Sequence, residues 1–81
     1  MKIQILGTGC PKCIKLEENA IKAANELNLE YEIEKIKEIS KIIEMGVRMT
    51  PAIAVDGKVL AYGHVLSPEA IKKLLKEYLN I

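Results

Sequence analysis

Cys10 and Cys13 are the chain's only two cysteines, separated by Pro11 and Lys12. Their spacing restricts the chemistry open to them. As a structural staple the pair would be poor, because so short a loop removes little unfolded-chain entropy. Small domains that rely on disulfides carry several bridges, and this one has at most one. A C-x-x-C therefore points to thiol–disulfide exchange or to half of a metal site. Structural zinc takes four ligands, and Cys10, Cys13 and the sole histidine, His64, fall short of that number. Two thiolates would suffice for a soft, low-coordinate Cu(I) site, so a metal-carrying module stands as the rival to redox exchange.

The surrounding residues favour exchange. Gly7-Thr8-Gly9 reads as a turn, and Pro11 suits the first position of a helix, which makes Cys10 the N-cap and Cys13 the third helical residue. Pro11 lacks an amide hydrogen, leaving the Lys12 and Cys13 amides free to face the Cys10 sulfur. A helix N-terminus favours negative charge and Lys12 adds a cation, so an acidified Cys10 thiol is expected. Cys13 falls on an apolar stripe with Leu16, Ala20, Ala24 and Leu27, which predicts a sheltered, less acidic thiol. An exposed thiolate beside a sheltered thiol can open a disulfide and then resolve the mixed disulfide.

The elements that must hold this turn are legible along the chain. Residues 2–6 are a short apolar run ending at Gly7, a buried strand. A helix is predicted from Pro11 to about Asn28. Residues 30–36 alternate, with Glu30, Glu32 and Glu34 on one face, which suits an edge strand. Glu38 to Met45 carries Ile39, Ile42 and Ile43 at helical spacing, a core stripe closed by Gly46. Ala52–Val55 and Val59–Tyr62 flank Asp56-Gly57, a hairpin signal. Ser67-Pro68 caps a last helix running to about Leu79. The order βαβαββα, with a right-handed first crossover, predicts an α/β fold: a four-stranded mixed sheet with helices on both faces.

Composition narrows the function further. At 81 residues the chain is expected to form one domain, residues 1–81. Hydrophobic residues make up 49% and charged residues 28%, a globular balance that excludes disorder. With three tyrosines and no tryptophan or phenylalanine, stacking on single-stranded nucleic acid has little to work with. A net charge of +1 gives no footprint for nucleic acid or anionic lipid. The early apolar run is too short for a leader or a membrane span, so a cytoplasmic protein without nucleic-acid or membrane partners is expected.

Over nearly its whole length the chain resembles the thioredoxin superfamily. The first strand, Cys10-Pro11-Lys12-Cys13 and the helix look like the superfamily's redox turn. The stretch Gly46 to Ala52 is similar to the segment ending in a cis-proline, and Tyr62-Gly63-His64 resembles the strand end bordering the docking surface. Small archaeal-type thioredoxin- or glutaredoxin-like proteins are nearest in character.

The resemblance implies that Cys10 is the nucleophile and Cys13 the resolving thiol. It implies a cis Thr50–Pro51 bond and pairing of the Thr50 backbone with an extended substrate. Pro11, Lys12, Thr50, Pro51, Gly63 and His64 are thereby candidate substrate-binding residues. No metal and no cofactor are expected, and the partners would be protein disulfides met by a monomer. The chain departs from thioredoxins in having Gly9 before the first cysteine and Pro-Lys between the two. Pro11 is the glutaredoxin choice, but Lys12 stands where glutaredoxins usually have an aromatic residue. The Gly-Gly and acidic cluster that grip glutathione do not follow Tyr62, so a flavoprotein thioredoxin-type reductase is the expected electron source. Heavy-metal-associated domains, which Gly7-Thr8-Gly9-Cys10 superficially matches, run βαββαβ, an order this chain does not have.

Overall fold

The computed structural model describes residues 1–81. Its elements are β1 (Lys2–Leu6), α1 (Pro11–Glu26), β2 (Glu32–Ile36), α2 (Ile39–Glu44), β3 (Ala52–Val55), β4 (Lys58–Tyr62) and α3 (Pro68–Leu79). The order is the predicted βαβαββα. Strands lie β2-β1-β3-β4 in one sheet, β1 parallel to β2 and antiparallel to β3, and β3 antiparallel to β4. The glutamate-bearing β2 is an edge strand, as its alternation suggests.

Alternation along the central strands divides the core into two layers. Ile3, Ile5, Ile53 and Val55 face α1 and α3, packing with Leu16, Ala20, Ala24, Ile71 and Leu75. Leu6, Ala52 and Ala54 face the other way, toward Ile42 of α2 and Val47. Branched residues of β3 thus meet two long helices, while its alanines sit under one short one. All four residues of β3 are buried, as a strand covered on both faces requires.

Local chemistry explains the joints. Asp56 (φ 50°) and Gly57 (φ 87°) are both left-handed and lie between the paired Val55 and Lys58, the geometry of a tight two-residue hairpin. The turn is tied back to β1, with the Lys2 amide donating to Asp56 Oδ1 and the Gly57 amide to Gln4 Oε1, both at 2.8 Å. Ser67 Oγ accepts from the Ala70 amide at 3.2 Å and caps α3 as expected. Asn19 Nδ2 donates to the Leu66 carbonyl at 2.8 Å and Lys72 Nζ reaches Glu26 at 2.7 Å, both tying α1 to the α3 region.

Three expectations need correcting. The first helix stops at Glu26, short of Asn28, because Asn28 turns left-handed (φ 55°). The second strand begins at Glu32 rather than 30, where pairing with Lys2 begins. The isoleucines of α2 are not a core stripe: only Ile42 is buried, while Ile39 and Ile43 are 63% and 62% exposed. A six-residue helix makes fewer than two turns and can commit only one narrow face to the sheet. No helix is long and apolar enough to cross a membrane.

Candidate functional site

Parallel pairing of β1 with β2 brings both strand ends to the same edge of the sheet. Antiparallel β3 starts at that edge, and β4 ends there. The turn after β1, the Thr50–Pro51 step before β3 and Gly63 after β4 therefore converge from distant parts of the chain.

Cys10 is the N-cap of α1, with extended backbone (φ −67°, ψ 165°), and Pro11 opens the helix. Its half-exposed sulfur makes no capping hydrogen bond and turns instead to Cys13 Sγ, 2.8 Å away; both thiols are free. Cys13 is buried, 5% exposed, within the apolar face of α1. The two thiols are displaced in opposite directions. Cys10 is held below its ordinary value, chiefly by the hydrogen bond from the Cys13 thiol and then by the Cys13 and Lys12 amides at the helix start. Cys13 is raised, first by burial and next by its bond to Cys10. Either sulfur could donate in that contact; the opposite displacements favour Cys13 as the donor once Cys10 is ionised.

The asymmetry is the one the spacing predicts, but its leading cause differs. The exposed Lys12 ammonium is not among the groups that acidify Cys10; the neighbouring thiol is the largest. A side chain free in water has its charge screened, whereas the sulfur contact is direct.

Thr50–Pro51 is a cis peptide bond, with Pro51 buried and Thr50 exposed. The Gly63 amide donates to the Pro51 carbonyl at 2.8 Å, placing Gly63 (φ 81°) beside that step. Gly63 also lies against Met49, a residue 57% exposed. Pro11 and Lys12 are exposed on the same end of the molecule. His64 follows Gly63, is exposed, and enters no salt bridge.

Gly7, read from the sequence only as part of a turn, has a sharper role. It is buried, its amide donates to the Ile36 carbonyl at 2.9 Å, and a Cβ there would collide with the Cys13 sulfur. The same notional Cβ would lie 3.8 Å from that of Thr50, so Gly7 is where the cysteine turn and the Thr50–Pro51 step meet. A glycine closing a buried strand just before the first cysteine was the available signal. No cluster of three or more His, Cys, Asp or Glu residues capable of holding a metal forms anywhere in the chain.

Comparison with known proteins agrees with this geometry. A family described as thioredoxin domain matches residues 1–76. A protein named thioredoxin from Methanothermobacter thermautotrophicus is 52% identical over 75 residues, which cover 93% of this chain and 97% of that protein. A second thioredoxin, from Methanocaldococcus jannaschii, is 44% identical over 78 residues, 96% of this chain and 90% of the relative. A helix-capping cysteine pair, a mixed sheet of this order and relatives matched almost end to end all lead to one assignment: the chain belongs to the thioredoxin domain family and is a thiol–disulfide oxidoreductase of the thioredoxin type.

Proposed function

We propose that this chain, acting as one domain over residues 1–81 and as a cytoplasmic monomer, is an electron donor to protein disulfides in which Cys10 attacks and Cys13 resolves. The observation that carries the reading is the contact between a half-exposed thiol held acidic at a helix N-terminus and a buried thiol held basic 2.8 Å away. Cys10 thiolate attacks one sulfur of a substrate disulfide and releases the other as a thiolate. Cys13, once deprotonated, attacks Cys10 and closes the intramolecular disulfide. The substrate leaves with both thiols, and two electrons have passed from the protein dithiol to the substrate.

Exposed Thr50, joined to the buried Pro51 and with Gly63 beside that step, offers its backbone next to the cysteines, where an extended substrate segment can pair as an added strand. Pro11, Lys12 and His64 border that surface. A flavoprotein reductase regenerates the dithiol, and neither cofactor nor metal is needed on this chain. The test is reduction of a protein disulfide by natural and variant chains. Cys10→Ser should abolish reduction, and Cys13→Ser should trap a mixed disulfide between Cys10 and the substrate. A Cys13→Ser variant that traps nothing while the natural chain reduces the substrate would overturn the division of roles.

A further inference from the structure

A net charge of +1 conceals how charge is placed around the cysteines. Lys12 lies between them, exposed on the first turn of α1, a turn without an acidic residue. Lys37, just past β2, passes Gly9, the residue ahead of Cys10, with Nζ 4.0 Å from where a Cβ on that glycine would lie. Arg48 lines a surface groove together with Thr8 and Thr50, which brings its charge to the Thr50–Pro51 step. All three side chains are exposed, and none enters a salt bridge. Lys35, by contrast, is held by Glu17 at 3.2 Å, and Lys15 by Glu18 at 3.8 Å.

Carboxylates are scarce at this end of the sheet. Residues 1–16, 45–55 and 63–68 supply the cysteine turn, the Thr50–Pro51 step and the Gly63 turn, and they contain no acidic side chain. Glu17 and Glu38 stand near Lys37, but the first is taken by Lys35 and the second shares its surface with Lys35, Lys37 and Lys41. An acidic partner would be repelled by the Cys10 thiolate alone. Cations around that sulfur reverse the local sign, and the water that screens them in the free protein is displaced where a partner docks. Exchange chemistry requires the partner to bring a disulfide, so the complementary carboxylates belong on the protein that carries it.

Resting on the reading of Cys10 as the attacking thiol, we propose that Lys12, Lys37 and Arg48 form a cationic rim that selects protein disulfides flanked by aspartate or glutamate. The selection acts on approach and docking, before any sulfur bond is exchanged. Complementary charge raises the rate of productive encounter, and salt weakens it.

Three disulfide-linked peptide dimers of one sequence, with glutamate, glutamine or lysine on both sides of the cysteine, test the rim. The reduced natural chain is mixed with each. The rate of peptide thiol release is divided by the rate at which dithiothreitol reduces the same peptide, which removes differences in intrinsic reactivity. At low ionic strength the glutamate peptide should exceed the lysine peptide by at least about tenfold, within the range that electrostatic steering supplies. Most of that factor should vanish near about 1 M salt, where charges are screened within a few ångströms. Lys37→Glu combined with Arg48→Glu should reverse the order of the two peptides. A change in Cys10 acidity or in packing scales all peptide rates alike, so the ratio reports the rim. Equal normalised rates with the natural chain would overturn the proposal, as would a glutamate preference that survives high salt or the charge reversal. Reduction of none of the three peptides at any salt would also overturn the role given to Cys10, whereas the other outcomes remove the rim alone.

Discussion

At the scale of the residue, the difference between two identical side chains comes from where a helix begins. Cys10 precedes the first helical residue and Cys13 falls on the buried face, so one thiol is favoured as an anion and the other penalised. In the reduced protein at neutral pH, limiting alkylator is expected to label Cys10 first. Alkylation followed against pH should give a Cys10 midpoint below the ordinary thiol value, since a lowered pKa means more thiolate at any given pH beneath it. Because the Cys13 S–H is the largest acidifying group, Cys13→Ala should move that midpoint upward. An unmoved midpoint would assign the acidity to the helix start alone. The asymmetry was legible because a capping position and a 3.6-residue stripe are both sequence patterns. Its main cause was not, since a 2.8 Å sulfur contact depends on side-chain rotamers that spacing does not specify.

At the scale of the element, the joints matter more than the spans. Gly7 joins β1 to the cysteine turn in space no larger residue can share. Gly7→Ala should push the Cys13 sulfur or the strand end aside, costing about 1–3 kcal/mol of stability in denaturant unfolding, as overpacked cores do. It should also slow resolution by Cys13; natural stability and natural exchange together in Gly7→Ala would show that the turn can relax. Far from the site, Ser67→Ala removes the one side-chain cap of α3 and should cost about 1 kcal/mol with little change in exchange rate. Element type was read throughout from periodicity, turn chemistry and capping. The ends that were missed have tertiary causes. Asn28 leaves α1 by turning left-handed, and β2 begins where β1 supplies a partner. The exposed isoleucines of α2 were misassigned because hydrophobic spacing shows which residues can share a face, not whether a neighbour covers it.

At the scale of the molecule, one edge of the sheet collects everything chemical. A parallel β1–β2 crossover followed by an antiparallel hairpin sends residues 7–13, 50–51 and 63–64 to the same end, although Gly7 and His64 are far apart in the chain. From the sequence that convergence was legible through the resemblance to the thioredoxin superfamily; the element order, with its right-handed crossover and tight hairpin, gave the sheet but not which turns would meet. What the gathered surface lacks sets the final prediction. After β4 the chain continues Gly63-His64-Val65-Leu66-Ser67-Pro68, and the first carboxylate, Glu69, is already inside α3. No carboxylate therefore stands ahead of that helix to hold the ammonium group of a glutathione molecule. The exposed Met49 and Tyr62 instead offer apolar area on which a protein can dock. The oxidised chain is accordingly expected to be reduced faster by a flavoprotein thioredoxin-type reductase with its nicotinamide donor than by glutathione with glutathione reductase. Comparing initial rates at matched electron-donor concentrations, with glutathione binding titrated separately, decides it. Saturable glutathione binding together with faster glutathione-coupled turnover would give the site a small-thiol partner and remove the protein reductase from the scheme.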